Sequence, residues 1–170
     1  MPKRLRLDNG RDLYGLPGLS EGDRRKVVQG NRELRFAFSI IDFCIRFGTP
    51  VYLENPSTSL LWKVPALKRR IAKSNAQLVR HDMCQSGTQW RKPLRFALFS
   101  FRKPAFGFAV CKPTNGRCNI TSRPHVVLTS RDVALKANST RFNTHLSSAY
   151  PPRLGHLLVD NLNAQTTNFP

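Results

Sequence analysis

A carboxylate stands at the end of a short apolar run, Val51-Tyr52-Leu53, and is followed at once by Asn55 and Pro56. Open α/β sheets keep their chemistry beyond the carboxyl ends of their strands, so Glu54 and Asn55 are candidate substrate-holding groups. A carboxylate there can accept from the exocyclic amine of a nucleobase, and when protonated it can donate to a ring nitrogen. The plainer role for Glu54 is to cap the next helix or to pair with an arginine. A second group is Gly87-Thr88-Gln89-Trp90-Arg91-Lys92-Pro93. Its glycine permits a tight turn, Arg91, Lys92 and nearby Arg95 can reach phosphates or orient an acid, and Trp90 can stack on a base. Taken alone, that segment also reads as a basic hairpin with a packed tryptophan. The third group is Cys111, Cys118 and His125, with six residues between each successive pair, and Cys84 as a candidate fourth member. Thiolates and an imidazole suit tetrahedral zinc, and a loop-rich region would gain order from such an ion. The plainer reading is unrelated thiols and a surface histidine.

These groups need elements to position them. Met1 to Leu19 has no periodicity and several turn formers, Asn9-Gly10, Gly15, Pro17 and Gly18. Ser20 followed by Asp23 predicts a helix start, and Ala37, Phe38, Ile41, Cys44 and Ile45 recur at helical spacing to give one buried face. Gly30-Asn31 suggests a break into two helices, and Gly48 suits a left-handed cap. Val51-Tyr52-Leu53 reads as a short buried strand. Asn55-Pro56-Ser57 then caps a helical region through Trp62, and Pro65 suits the first position of another turn. Gln77 to Met83 and Leu94 to Phe101 read as two strands. Phe96, Phe99, Phe101, Phe106 and Phe108, interleaved with cations, fit a strand with one face in the core better than a stacking surface for single-stranded nucleic acid. Residues 102–140 lack periodicity. A last helix from Pro152 to about Leu162 carries Leu154, Leu157, Leu158 and Leu162 on one side, and a frayed tail follows from Asn163.

The chain has 170 residues, enough for one domain with a real core. Its 28 lysines and arginines against 10 acidic residues give a formal charge of +18. Charge of that size favours polyanionic partners, nucleic acid before a membrane surface. No apolar stretch follows the basic opening, so no signal peptide is expected, and Lys3 to Asp8 reads as a candidate nuclear localisation signal. The longest apolar region, Phe36 to Phe47, is interrupted by Asp42 and Arg46, so no membrane span is expected. The expected location is intracellular, with the four cysteines as thiols or metal ligands rather than disulfides.

Several segments recur together in one known family. They are Gly15-Leu-Pro-Gly-Leu-Ser20, Gly30-Asn31, Leu53-Glu-Asn-Pro-Ser-Thr-Ser-Leu-Leu-Trp62, Asp82-Met-Cys-Gln-Ser-Gly87 and Trp90-Arg-Lys-Pro93, then Cys111, Cys118, Pro124-His125 and Ser148-Ala-Tyr-Pro-Pro-Arg-Leu154. In this combination the chain resembles a divergent branch of the cytosine-5 DNA methyltransferases, met in transposon-derived and protist proteins. The resemblance implies an α/β fold, a partial class I (Rossmann-like) methyltransferase sheet with flanking helices, followed by a loop-rich C-terminal region. It divides the chain into an irregular segment 1–19, a partial methyltransferase-like domain 20–101 and a basic region 102–170.

In that family a Glu-Asn pair after the fifth strand holds the target cytosine, a role that falls to Glu54 and Asn55. A Gln and an Arg between strands six and seven buttress the active-site loop, which Gln89 and Arg91 approximate, although a strict spacing from Gly87 would select Trp90 and Lys92 instead. The same Cys, Cys and His recur in that branch. Methyl transfer of this kind also needs a thiolate nucleophile in a Pro-Cys dipeptide and a glycine-rich turn for S-adenosylmethionine. Neither occurs in these 170 residues. The stretch therefore resembles the second half of such a domain, with strands five, seven and six adjacent and Val51-Tyr52-Leu53 at an edge. The expectation is a chain that binds DNA, holds no S-adenosylmethionine by itself, and is inactive without a complementary chain supplying the other half. The alternatives are a non-enzymatic basic nucleic-acid-binding protein and a non-functional transposon-derived remnant.

Overall fold

Ser20 opens the longest element. Its hydroxyl accepts the backbone N–H of Asp23 at 3.3 Å, and Glu21 and Asp23 occupy the first turn, where the helix end is positive. In the computed structural model, which describes residues 5–126 and 150–166, this start leads into α1, Glu21–Arg46. The helix runs unbroken through Gly30-Asn31, against the break the sequence suggested. The reason is Arg6, whose guanidinium donates to Asn31 Oδ1 at 2.8 Å, to the Leu13 carbonyl at 3.0 Å and to the Val27 carbonyl at 3.2 Å. A Cβ on Gly30 would meet that guanidinium at 3.0 Å, so the missing side chain makes room for the arginine rather than ending the helix. The segment before α1 is not wholly irregular, since Gly10–Tyr14 forms a 3-10 turn that buries Leu13. Past Phe47, Gly48 adopts φ +64°, the left-handed cap its type foreshadowed.

The fold is mixed α/β with a small antiparallel sheet of three strands among the described residues, β1 Val51–Pro56, β2 Gln77–Asp82 and β3 Pro93–Phe99, ordered β1-β3-β2. The first strand is longer and less buried than expected. It extends to Pro56, and Val51 to Asn55 are only half-buried, because β1 is an outer strand with one neighbour. The turn after it is capped by Ser59, whose hydroxyl accepts from Leu61 N–H at 3.2 Å, and not by Asn55-Pro56-Ser57. This 3-10 turn, Leu60–Lys63, is pinned by the Trp62 indole N–H donating to the Pro56 carbonyl at 2.9 Å. Pro65 takes the first position of α2, Pro65–Lys73, as its fixed φ and missing donor favour.

The chain divides into two units, Met1–Gln77 with Ala97–Phe101, and Leu78–Phe96 with Arg102–Pro170. The core of the first is built from Phe38 and Ile41 of α1, Trp62, Val64, Leu67 of α2, and Ala97 and Phe99 of β3. Arg70 lies 4.3 Å from the centre of the Phe38 ring and grips both carboxylate oxygens of Asp42 at 2.8 and 2.7 Å. Those bonds hold the Asp42 carboxyl below its ordinary range.

The second unit holds its last helix, α3 Pro152–Thr166, by the face that carries Leu154 and half-buried Leu157 and Leu158, as expected, and that face continues into polar positions. The buried positions are Leu154, Asn161 and Gln165, and the helix persists through the segment expected to fray from Asn163. Asn161 accepts from Phe106 N–H at 3.0 Å and returns a bond to the Phe106 carbonyl at 3.1 Å. Gln165 Oε1 accepts from the N–H groups of Arg102 and Lys103, each at 2.8 Å. The side chains of Phe96 and Phe99 are fully buried and Phe96 packs on Phe108 at 5.3 Å between centres, whereas Phe106 is 49% exposed. Lys3 and Arg4 of the basic opening, Ser148 and Ala149, and residues 167–170 of the expected tail lie outside the described residues. Among the described residues no helix is long and apolar enough to cross a membrane.

Leu67 is fully buried in the first unit's core, so Leu67→Ala should cost about 2–5 kcal/mol in urea unfolding, whereas Val28→Ala, at a position 43% exposed, should cost almost nothing.

Candidate metal centre

β2 ends in His81 and Asp82, 2% and 1% exposed, and the chain then turns through the 3-10 segment Met83–Ser86, which places Cys84 in the interior. Two bonds fix this turn: Met83 N–H donates to the Lys92 carbonyl at 3.2 Å, and Gly87 N–H to that of Cys84 at 3.1 Å. Cys111 arrives from the loop region, and its N–H donates to Asp82 Oδ2 at 2.8 Å. Between Cys111 and Cys118, Thr114 and Arg117 exchange two backbone bonds of 3.0 Å around Asn115-Gly116, both at positive φ. Asn-Gly is the pair that such a two-residue turn selects. A further bond, Cys118 N–H to the Arg123 carbonyl at 2.9 Å, folds the next stretch back and delivers His125.

The result is a cluster of Cys84, Cys111, Cys118 and His125 whose ligand atoms all lie within 4.8 Å of one another, and which could hold a metal ion. The three sulfurs are buried and His125 is half-buried. Cys111 Sγ is 3.9 Å from Cys118 Sγ and 3.7 Å from His125 Nε2. A disulfide would need about 2.05 Å. A tetrahedral ion with bonds of about 2.3 Å to sulfur and 2.0–2.1 Å to nitrogen sets ligand–ligand edges of about 3.6–3.8 Å, close to these two distances. Among the described residues all four cysteines of the sequence are unpaired thiols.

The surroundings favour thiolates unequally. Burial pushes the Cys84 thiol up to about 12, opposed by a bond from Gln85 and reinforced by the neighbouring sulfurs of Cys111 and Cys118. Burial also raises Cys118, but the backbone N–H groups of Thr121 and Ile120, the Thr121 side chain and His125 outweigh it and bring Cys118 down to about 6. Crowded sulfurs of this kind are relieved when a cation sits among them, because it favours the deprotonated form of each.

Asp82 props the centre. Its Oδ2 accepts both the Cys111 N–H and Arg91 Nε–H at 2.8 Å, and those contacts raise the Arg91 guanidinium further. Sequence reasoning named Arg91 but missed Asp82; the available signal is that no acidic residue follows Asp82 through Val126. His81 was also missed. Its Nδ1 accepts the Ala109 N–H at 3.2 Å, so Nε2 carries the ring proton and donates to Ser86 Oγ at 2.7 Å. A histidine in that state cannot take the serine proton, which rules out a Ser-His nucleophile here.

The other candidate residues disperse. Gln89 has an exposed side chain and contributes its carbonyl, which accepts Val126 N–H at 2.9 Å just beyond His125. The Trp90 indole N–H is buried without a hydrogen-bond partner. Lys92 and Arg95 are half-buried. In the first unit Asn55 lines an open cavity of about 340 Å³ with Arg6, Glu33, Leu53 and Ser59, and half-buried Glu54 is not in its wall. Among the described residues no strand leads through a glycine-rich turn into a helix, since β1 continues through Asn55-Pro56-Ser57 and β2 into Met83–Ser86. No family model, no curated protein and no solved structure matches the chain.

Burial lowers the His81 imidazole below its ordinary 6.5, with Asp82 opposing. The unfolded chain takes up this proton as the pH falls below about 6.5 while the folded one does not, so the contribution is intact above that pH and lost beneath it. Thermal melts between pH 7.5 and 5 should show wild type losing more stability than His81→Gln, with equal slopes counting against the assignment.

Proposed function

We propose that this chain is the cytosine-holding portion of a DNA cytosine-5 methyltransferase-like domain, stabilised by one structural zinc ion. The observation that carries the methyltransferase reading is the strand order β1-β3-β2, in which the last of the three described strands lies between the two earlier ones. A sheet whose strands run five, seven, six has that order, and it puts Glu54 and Asn55 at the carboxyl end of the outer strand. In this reading Glu54 accepts from the exocyclic amine of a flipped cytosine and holds its ring, Asn55 steadies it, and Arg91 acts on Asp82 as a positioning residue. S-adenosylmethionine would donate the methyl group of the complete domain; no part of its binding falls to these residues. The basic surface supplies phosphate contacts.

Zinc is the metal that the donor set suits best: three thiolates and an imidazole are soft, and four protein ligands close the coordination sphere. A closed sphere makes the ion a structural clamp for residues 102–126. The purified chain should carry one zinc per molecule by elemental analysis. Cys118→Ser should lower that content, and a chelator should lower the melting temperature of wild type far more than that of the variant. A metal-free chain with an unchanged melt would remove zinc from the proposal.

The base-holding role has its own test, fluorescence anisotropy with duplexes holding a single unpaired cytosine or an unpaired thymine. Wild type should favour the cytosine duplex, and Glu54→Ala should erase the preference while leaving total affinity nearly intact. A basic protein that reads phosphates alone is favoured by the +18 charge and by the absence of Glu54 from the cavity wall. It would show no preference at any stage and would weaken steeply with salt, and that result would overturn the cytosine role.

A further inference from the structure

The last turns of α1 are apolar on two opposite sides. Phe38 and Ile41 face the core, with Ile45 packed against it. Phe36, Ile40, Phe43 and Phe47 are 69%, 44%, 59% and 61% exposed. At 3.6 residues per turn these four fall within an arc of about 60°, roughly opposite the buried face. A helix apolar on both sides belongs in an interior, and a contiguous exposed row of three phenylalanines and an isoleucine marks a contact surface. The rings of Phe43 and Phe47 lie 4.5 Å apart between centres, and Arg46 lies over Phe47 at 5.6 Å. Helical spacing puts Arg32 one turn ahead of Phe36 on the same row, and Arg35 and Arg46 along one flank. Of the acidic residues near this surface, Asp42 is paired with Arg70, and Glu33, on the flank opposite Arg35 and Arg46, accepts from Gln29 at 3.0 Å.

We infer that this row is the docking site for an acidic amphipathic helix of a partner protein. Apolar side chains at helical spacing would pack among Phe36, Ile40, Phe43 and Phe47, and flanking carboxylates would face Arg32, Arg35 and Arg46. Charge decides the occupant. A second copy of this chain would bring +18 against +18 and arginines against arginines. Residues 127–149 of the chain itself carry Arg131, Lys136 and Arg141 against a single acid, Asp132. The inference goes beyond the methyltransferase reading and stands without it, since neither DNA nor zinc enters its test.

The test uses two synthetic helical peptides with leucines at i, i+3, i+4 and i+7, one flanked by glutamates and the other by lysines, titrated against the full chain by anisotropy. The glutamate peptide should bind about tenfold or more tighter than the lysine peptide, a gap that narrows as salt rises. Phe36→Ser with Phe43→Ser should abolish binding. Arg32→Glu, Arg35→Glu and Arg46→Glu together, all surface changes, should invert the preference, and this holds whether or not the phenylalanine variant folds. Equal binding of both peptides, or of neither, would overturn the inference. So would sedimentation showing a wild-type dimer that Arg46→Glu or Phe43→Ser dissolves, because the row would then be covered by a second copy.

Discussion

Backbone N–H and carbonyl groups that leave water must find partners, and residues 102–126, outside any helix or strand, have two isolated β-bridges and a few turn and loop bonds with which to supply them. Polar side chains do the work that a helix or sheet ladder does elsewhere. Gln165 takes the N–H groups of Arg102 and Lys103, Asn161 brackets Phe106, and the Asp82 carboxylate receives Cys111. His81 receives Ala109 by the same logic. Each of these four side chains is buried, and at Cys111, which is buried too, removing the Asp82 carboxylate strands a donor away from water at about 1–3 kcal/mol. The loop of the second unit is thus held by a few directional bonds beside the apolar core of Met83, Leu94, Phe96 and Leu154.

The same constraint shapes the electrostatics. From Met83 to Val126 the chain carries eight lysines and arginines and no acid. The buried carboxylate of Asp82 lies at the start of this stretch, where it neutralises Arg91 and fixes the backbone beside a sulfur at once. A cluster of thiols in the same neighbourhood adds negative charge when deprotonated. The geometry that gathers the sulfurs and the geometry that satisfies the backbone are therefore held by one residue.

Local signals were legible where one residue type has one physical use. Ser20 as a cap, Gly48 at positive φ and Pro65 at a helix start each follow from a hydroxyl, a missing Cβ or a missing donor. The three strands were legible from apolar runs, and three members of the metal cluster from soft ligands at even spacing, with Cys84 as a candidate fourth. What failed was tertiary. Gly30 read as a break because Arg6, which needs its empty space, is twenty-four positions away in the chain. In α3 the apolar period pointed to leucines, whereas Asn161 and Gln165 are buried because the loop they serve needs donors and acceptors. Asn115-Gly116 was a signal available and overlooked. Glu54 and Asn55 were candidates by type and position, and alternation along β1 puts only Asn55 on the cavity.

The reach of α3 has a consequence for synthesis on the ribosome. The first unit is complete once Phe101 has emerged, because nothing it contains lies later in the chain. The second is not, since Gln165 bonds to backbone 62 and 63 residues earlier. Translation releases chain from the amino end, so the segment after β3 waits for these partners until Gln165 has emerged. Until then Asn161 and Gln165 cannot serve the loop, and its backbone groups at Arg102, Lys103 and Phe106 stay bonded to water.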